Sequence, residues 1–345
     1  MNKRIAAPAA GELPALAGAG SLTDIAGLRV GHFTDTRRPT GCTVVLCPEG
    51  AVAGVDVRGG APGTRETDLL RSENTVERVH AVLLTGGSAW GLDAAGGVMR
   101  WLDEQGHGLV VGPTRIPLVP TAVLFDLWVG DPAIRPDAAS GHAACSAAHE
   151  RPVAEGSVGA GAGATVGKLY GPARSMKGGI GSVSLRCGGY TVAALVAVNA
   201  VGDVLAEDGS VLAGARSADG KDTVGTLQGL LAGEGPPRLL PGTATTIGVV
   251  ATDAPLTKAQ ANKLASLAHH GLSRAIDPIT AHDGDTLFAL STAQPGLSAV
   301  GDVSGLGAVA AEAVSRAIRR AVRLAEGLPQ YGIASVRDLA ARRGG

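Results

Sequence analysis

The sequence predicts a layered α/β protein, and three observations carry that prediction. Apolar runs of strand length recur at Thr43–Leu46, Val52–Val57, Ala81–Leu84, Leu109–Val111, Val123–Leu127, Val183–Arg186, Val192–Val198, Ile247–Ala251 and Leu287–Leu290. Helical patterns are fewer, so strands do not alternate one-for-one with helices, and mixed sheets covered by helices fit better than a doubly wound parallel fold. Finally, 52 glycines stand beside only three Phe, three Trp and three Tyr. Glycine at that abundance, without a fibrous period, implies tight turns and close backbone approaches between thinly separated layers.

The N-terminal stretch 1–21 is expected to be a disordered tail, because Pro8, Glu12 and Pro14 interrupt any apolar run. A first helix is expected near Trp90 to Asp103, loosened by Gly96 and Gly97. The stretch from Glu207 to Ala244 has many Gly and Pro and little hydrophobic periodicity, and reads as a flexible linker inside an otherwise single domain, 22–345. Beyond Pro255 a capping box, Thr257 with Gln260, opens a helix whose face holds Leu264, Leu267 and Ala268 and for which Gly271 is the expected stop. A last helix runs from about Gly307 to Glu326 on the stripe Val314, Ile318, Ala321 and Val322, ended by Gly327 and Pro329. Arg316, Arg319, Arg320 and Arg323 share one of its faces and read as structural.

Composition narrows the function classes. With 345 residues and 45% of them apolar, the chain can bury a sizeable core. A formal net charge of -1 with scattered Lys and Arg argues against nucleic acid or an anionic membrane as partner. No window approaches the roughly 20 apolar residues of a membrane span. Cys42, Cys47, Cys145 and Cys187 lack CxxC spacing and fit reduced thiols in a cytoplasm.

Four short stretches carry candidate chemistry. In Gly156–Gly171, Ala162 and Leu169 break the P-loop pattern, while Gly159, Gly161 and Ala164 match a G-x-G-x-x-A fingerprint without a strand before it. The loop is either a turn packed on a neighbouring backbone or a device that brings Lys168 into a site. Asp283 and Asp285 flank Gly284 before a strand; they suit an acidic turn, the orientation of an amine or hydroxyl, or a metal with His282. The metal reading lacks a further ligand of regular spacing, since His269 and His270 form no HExxH pattern. Asn199 ends a strand. Thr245 and Thr246 stand at the mouth of the strand Ile247–Ala251, either for β-propensity or because the loose approach to them is cut.

With these residues in place, the chain resembles the P1 peptidases, the self-cleaving family of L-aminopeptidase/D-esterases, β-aminopeptidases and nylon-oligomer hydrolases. The resemblance runs from about Leu22 to Gly327 through GSLTDIAGLRVGHFTD, TGCTVVLCPEGAVAGVDVRGGAPGTRETD, LLTGGSAWGLDAAGGVMRWL, VGAGAGATVGK, KGGIGS, AVNAVGDV, TTIGVVATDAPL and HDGDTLFAL. It implies a four-layer αββα fold of the N-terminal-nucleophile type and one self-cleavage, between Ala244 and Thr245, giving a large subunit 1–244 and a small subunit 245–345. It implies Thr245 as nucleophile and α-amine base, Lys168, Asn199 with nearby backbone N–H groups as oxyanion donors, and Asp283 and Asp285 as supports that orient the amine and hydroxyl. Aminopeptidase members often carry Ser-Gly-Glu where this chain has Asp-Gly-Asp, which is similar to the nylon-oligomer hydrolases. Ala244 stands where relatives commonly have Asn, and Phe125 where some have Tyr.

The implied activity is acyl transfer from a small peptide or amide to Thr245, with no cofactor and no metal, in a homo-oligomer of processed units. A terminal Thr is useful because its own α-amine, with pKa near ~8, is a base within reach of the hydroxyl. Two other readings stand beside it: a non-catalytic ligand-binding or scaffold member of the same fold, and a nucleotide-binding enzyme using Gly156–Gly171.

Overall fold

Alternation along the strands gives each sheet two apolar faces, and the architecture follows from burying all of them. The structure, a computed structural model, describes residues 20–234, 242–294 and 296–343. Its principal strands are β1 (Arg29–Thr34), β2 (Gly41–Val57), β3 (Gly63–Arg65), β4 (Arg78–Thr85), β5 (Thr121–Val123), β6 (Gly179–Cys187), β7 (Tyr190–Val198), β8 (Ile247–Thr252) and β9 (Thr286–Ser291). They are hydrogen-bonded in the order β6-β7-β8-β9-β2-β4-β5-β3, with β1 also on β2.

The runs Thr43–Leu46 and Val52–Val57 are two halves of β2. The first half lies between β1 and β4, the second beside β9, and the register against β4 shifts between Leu46 and Ala51. β2 thus passes from one layer into the next. Residues Ala193, Leu195 and Ala197 of β7 turn inward to meet Val45, Val82 and Phe288, forming the core between the layers. Their neighbours Val192, Ala194, Val196 and Val198 face the opposite way.

Helices cover the two outer faces. α1 (Ala94–Glu104) and α2 (Ala138–Ser146) lie on Cys42, Val44 and Leu46 of β2, whereas α3 (Lys258–Ala268), α4 (His270–Ala275) and α5 (Ser304–Leu324) cover β7 and its neighbours. Three cores between four layers make the αββα sandwich that the resemblance implied. Each fully buried Val or Leu contributes roughly 1.5–3 kcal/mol relative to exposure.

Local signals held in several places and gave way in two. Thr257 and Gln260 form the reciprocal cap of α3, Thr257 Oγ1 accepting from Gln260 N and Gln260 Oε1 from Thr257 N. α3 ends at Ala268, and Gly271 lies inside the next helix, α4, where it is needed for packing, since a Cβ there would meet Ala311 O of α5 at 2.3 Å. The strand expected at Val123–Leu127 is only Thr121–Val123, since Asp126 leaves the sheet for the buried Arg38 guanidinium, 2.5 Å away, and for Thr40 Oγ1. The arginine stripe of α5 is tied down within the chain: Arg316 to Glu312, Arg320 to Glu155 and Arg323 to Glu207.

Of the stretch expected as a linker, residues 235–241 lie outside the described residues, as do residues 1–19 of the expected tail. Residues 207–234 carry a strand, Val211–Ala213, paired with Asp203–Leu205, and a helix, Thr226–Leu231. Buried Asp203 holds this segment, accepting from Ala215 N at 2.8 Å and from Thr226 Oγ1 and N. A polar clamp does here what hydrophobic periodicity does elsewhere, which is why the sequence reads as loose.

Adjacent glycines in α1 differ in their surroundings. A Cβ on Gly97 would meet Ala138 O of α2 at 1.7 Å, while one on Gly96 would meet nothing within 4 Å. Gly97→Ala is expected to destabilise the protein by about 1–3 kcal/mol. Gly96→Ala is expected to stabilise it by about 0.5–1 kcal/mol through helix propensity alone. Urea unfolding of the two variants checks the opposite signs.

Candidate active site

Strand direction brings the candidate residues together. β8 runs parallel to β9, with Ile247 beside Thr286, and antiparallel to β7, with Ile247 beside Ala197. The N-terminal ends of β8 and β9 and the C-terminal end of β7 therefore meet at one edge. Thr245 precedes β8, Asn199 follows β7, and Asp283 and Asp285 precede β9. The ladder continues past the strand ends: Thr245 N donates to Asn199 O at 2.9 Å, and Thr286 N to Thr246 O at 3.1 Å.

Lys168 arrives from the glycine-rich loop. Gly167, at φ +71°, makes the turn; a Cβ there would lie 2.0 Å from the backbone of Gly214 and Ala215. Gly167 N and Lys168 N donate to Gly202 O and Val201 O, fixing the loop beside the chain that leaves β7. Lys168 Nζ then donates to Asn199 O and Asn199 Oδ1, both at 2.8 Å, and to Thr243 O at 2.9 Å. Three carbonyl acceptors match the three protons of an ammonium. Burial nevertheless pulls its pKa down to about 7, against the opposing pull of Asp283 and Asp126.

The rest of the Gly156–Gly171 loop is packed on the sheet. A Cβ on Gly161 would meet Ile180 N at 2.4 Å, and the stretch Gly159–Gly161 is a 3-10 turn rather than the start of a phosphate-binding helix. The glycines of this loop pack on neighbouring backbone, and the loop carries Lys168 to Asn199 and Thr243.

The scissile candidate lies inside this cluster. Thr245 Oγ1 donates to Ala244 O, and Ala244 O also accepts from Gly284 N at 3.1 Å. Asp285 Oδ1 accepts from Thr246 N at 2.6 Å. Asp283 accepts from Val201 N on Oδ1 and from Thr280 N and Oγ1 on Oδ2. Ala244, Thr245, Lys168, Asn199, Asp283 and Asp285 are all buried. Burial, reinforced by neighbouring Asp283, raises the Asp285 carboxyl to about 8.

The structure brings together every candidate residue. Asn199 Nδ2 donates to Phe125 O at 2.9 Å, and its Oδ1 accepts from Lys168 Nζ and Thr165 N. Backbone donors are expected beside Asn199, with no residue-type signature to say which residue supplies one; the N–H that reaches the Ala244 carbonyl belongs to Gly284. Its lack of a side chain is also needed, since a Cβ on Gly284 would meet Ala61 O at 2.4 Å. His282 contributes its backbone carbonyl, accepting from Gly242 N at 3.2 Å, and no cluster of three or more metal-ligating side chains occurs among the described residues.

Comparison with known proteins agrees with this geometry. Residues 20–333 match peptidase family S58. The chain belongs to peptidase family S58. An uncharacterized aminopeptidase of Mycobacterium leprae is 44% identical, over 90% of this chain and 93% of that one. A 6-aminohexanoate-oligomer endohydrolase of Kocuria sp. strain KY2 is 32% identical, over 87% and 85%. The L-aminopeptidase D-Ala-esterase/amidase of Ochrobactrum anthropi, a variant of the Ntn hydrolase fold, shares the architecture with a TM-score of 0.67 at 21% identity, over 94% of each chain. As an S58 peptidase the protein is a self-processing amide hydrolase of the N-terminal-nucleophile type, and the non-catalytic and nucleotide-binding readings are not favoured.

Asp285 gives the S58 site a pH signature. Its carboxyl pKa is raised in the folded state, so its contribution to stability is full below the ordinary carboxylate value of ~4 and is lost as pH rises through about 8. In an uncleaved Thr245→Ala background, the unfolding free energy relative to Asp285→Asn is therefore expected to fall between those limits and to be flat outside them. Urea unfolding of the pair across pH 3 to 9, at about one-unit steps, measures this.

Proposed function

We propose that the bond cut in self-processing is Ala244–Thr245 and that Thr245 is the nucleophile of the mature enzyme. The observation that carries this reading is the Thr245 hydroxyl on the Ala244 carbonyl, whose oxygen already holds the Gly284 N–H. Thr245 Oγ1 attacks the Ala244 carbonyl carbon, and the negative charge that develops on oxygen is met by that N–H. The C–N bond breaks, the hydroxyl proton passes to the departing nitrogen, and an ester remains between Ala244 and Thr245 Oγ1. Water opens the ester, leaving a carboxylate on Ala244 and a free α-amine on Thr245.

In turnover that amine takes the Oγ1 proton as the hydroxyl attacks a substrate amide, and passes it to the leaving amine. Lys168 favours the neutral amine by like-charge repulsion, and Asn199 fixes Lys168 through both of its oxygens. Asp285 holds the Thr246 N–H and so sets the direction in which Thr245 projects; Asp283 holds the turn that carries Gly284.

Peptides and linear amide oligomers are the substrate classes, the latter supported by the Asp283-Gly284-Asp285 turn and the Kocuria relative. Four free thiols support a cytoplasmic setting. The hairpin Leu109–Ile116, with Val110 60% exposed, supports contact between processed units in a homo-oligomer, to be checked by sedimentation.

Denaturing gels and intact mass test the processing step. The parent chain is expected to yield fragments 1–244 and 245–345, with N-terminal sequencing of the smaller one starting at Thr245 rather than at Thr243 or Thr246. Thr245→Ala is expected to stay whole; splitting in that variant would remove the basis of the proposal. Lys168→Met is expected to slow processing by roughly 100-fold, the scale of losing a preorganised electrostatic group. In the mature parent, hydrolysis rate is expected to rise with pH through the apparent pKa of the Thr245 amine.

A further inference from the structure

The uncut chain displays a group already seated on the acyl side of its own scissile bond. The ester formed in self-cleavage joins the Ala244 carbonyl carbon to Thr245 Oγ1, which is the same bond as in an acyl-enzyme. The groups around residues 242–244 are therefore arranged about an acyl group in the position that a substrate's acyl group takes. This argument rests on the reading of Thr245 as nucleophile.

Those groups recognise backbone. Gly284 N donates to Ala244 O at 3.1 Å, the scissile carbonyl. Lys168 Nζ donates to Thr243 O at 2.9 Å, the carbonyl one residue upstream. His282 O accepts from Gly242 N at 3.2 Å, and Ala244 forms a parallel bridge with Asp283. The result is a short strand pairing in which an extended acyl chain reads Asp283 and its neighbours by main-chain bonds, as a peptide does when it adds to a sheet edge. Ala244 itself is 0% exposed, so the residue at the scissile carbonyl sits in a fully enclosed position.

A free α-ammonium fits this surrounding poorly. Removing residue 243 from a substrate takes away the carbonyl that Lys168 grips and places an ammonium near the lysine. Both oxygens of Asp283, the residue bridged to Ala244, already accept from Val201 N, Thr280 N and Thr280 Oγ1.

We propose that Lys168, Gly284 N–H and His282 O form an acyl-side subsite for extended peptide backbone. The mature enzyme then prefers amide bonds whose acyl half is an N-acylated chain with a small residue at the scissile carbonyl, and cuts within chains in preference to removing a single free aminoacyl residue. The subsite opens to substrate when residues 242–244 withdraw after processing.

A series of p-nitroanilides on the mature protein tests this, because each substrate adds one of the contacts. Alanine p-nitroanilide with a free amine lacks both upstream groups; acetyl-alanine p-nitroanilide supplies the carbonyl for Lys168; acetyl-Gly-Thr-Ala p-nitroanilide adds the N–H for His282 O. We expect kcat/KM to rise by about tenfold or more at the first step, as for a hydrogen bond to a charged donor, and about threefold at the second. A free-amine substrate hydrolysed as fast as or faster than acetyl-alanine p-nitroanilide overturns the subsite, and so does a series that is inert throughout. Processing on gels reports separately on the nucleophile. Thr245-dependent splitting together with a free-amine preference refutes the subsite alone, whereas undiminished hydrolysis by the Thr245→Ala protein refutes the nucleophile and the subsite with it.

Discussion

The parallel pairing of β8 with β9, beside an antiparallel β7, is the constraint on which the site depends. Parallel neighbours begin at the same edge, and an antiparallel neighbour ends there. Residues far apart in sequence, Asn199, Thr245 and Asp285, are thereby set within the span of neighbouring strands without any loop having to position them. The ladder bonds from Thr245 N to Asn199 O and from Thr286 N to Thr246 O extend the sheet to the candidate residues themselves, so the proposed nucleophile shares the rigidity of the core.

Around that edge the chain buries ionisable groups at a cost to stability that only their mutual arrangement offsets. A lysine in a dry environment is destabilised as a cation, and Lys168 is held by three carbonyl oxygens rather than by a carboxylate contact. Asp285 is likewise moved toward its neutral form. Strong shifts toward the neutral form in buried groups of one cluster are characteristic of functional sites, and a core built for stability alone would fill the same space with apolar side chains.

Small side chains let the layers and loops come close enough for backbone atoms to supply much of the chemistry. Gly284 offers its N–H to the Ala244 carbonyl while Ala61 passes over the place where a Cβ would be. Gly59, at φ +82°, allows the chain leaving β2 to run against Asp283, whose carbonyl would lie 2.0 Å from a Cβ there. The abundance of glycine and the scarcity of aromatic residues thus have one cause: tight layers and a site framed by main chain.

The sequence by itself determined what depends on local periodicity and residue chemistry. Runs such as Val192–Val198 and Ile247–Ala251 are strands, Thr257 and Gln260 cap a helix, and the motifs around Lys168, Asn199, Thr245, Asp283 and Asp285 were legible as one constellation through their resemblance to a self-cleaving family. Tertiary structure decided what depends on contacts between distant segments. It merged two apolar runs into β2, placed Gly271 inside α4 where α5 approaches too closely for a side chain, and ended β5 early because Arg38 claims Asp126. It ordered residues 207–234 around a buried carboxylate, Asp203, and directed the Asn199 amide to Phe125 O while Gly284 N took the Ala244 carbonyl. The physical reason is that hydrogen bonds between backbone groups, and the space that glycine leaves for them, carry no residue-type signal until the fold brings the partners together.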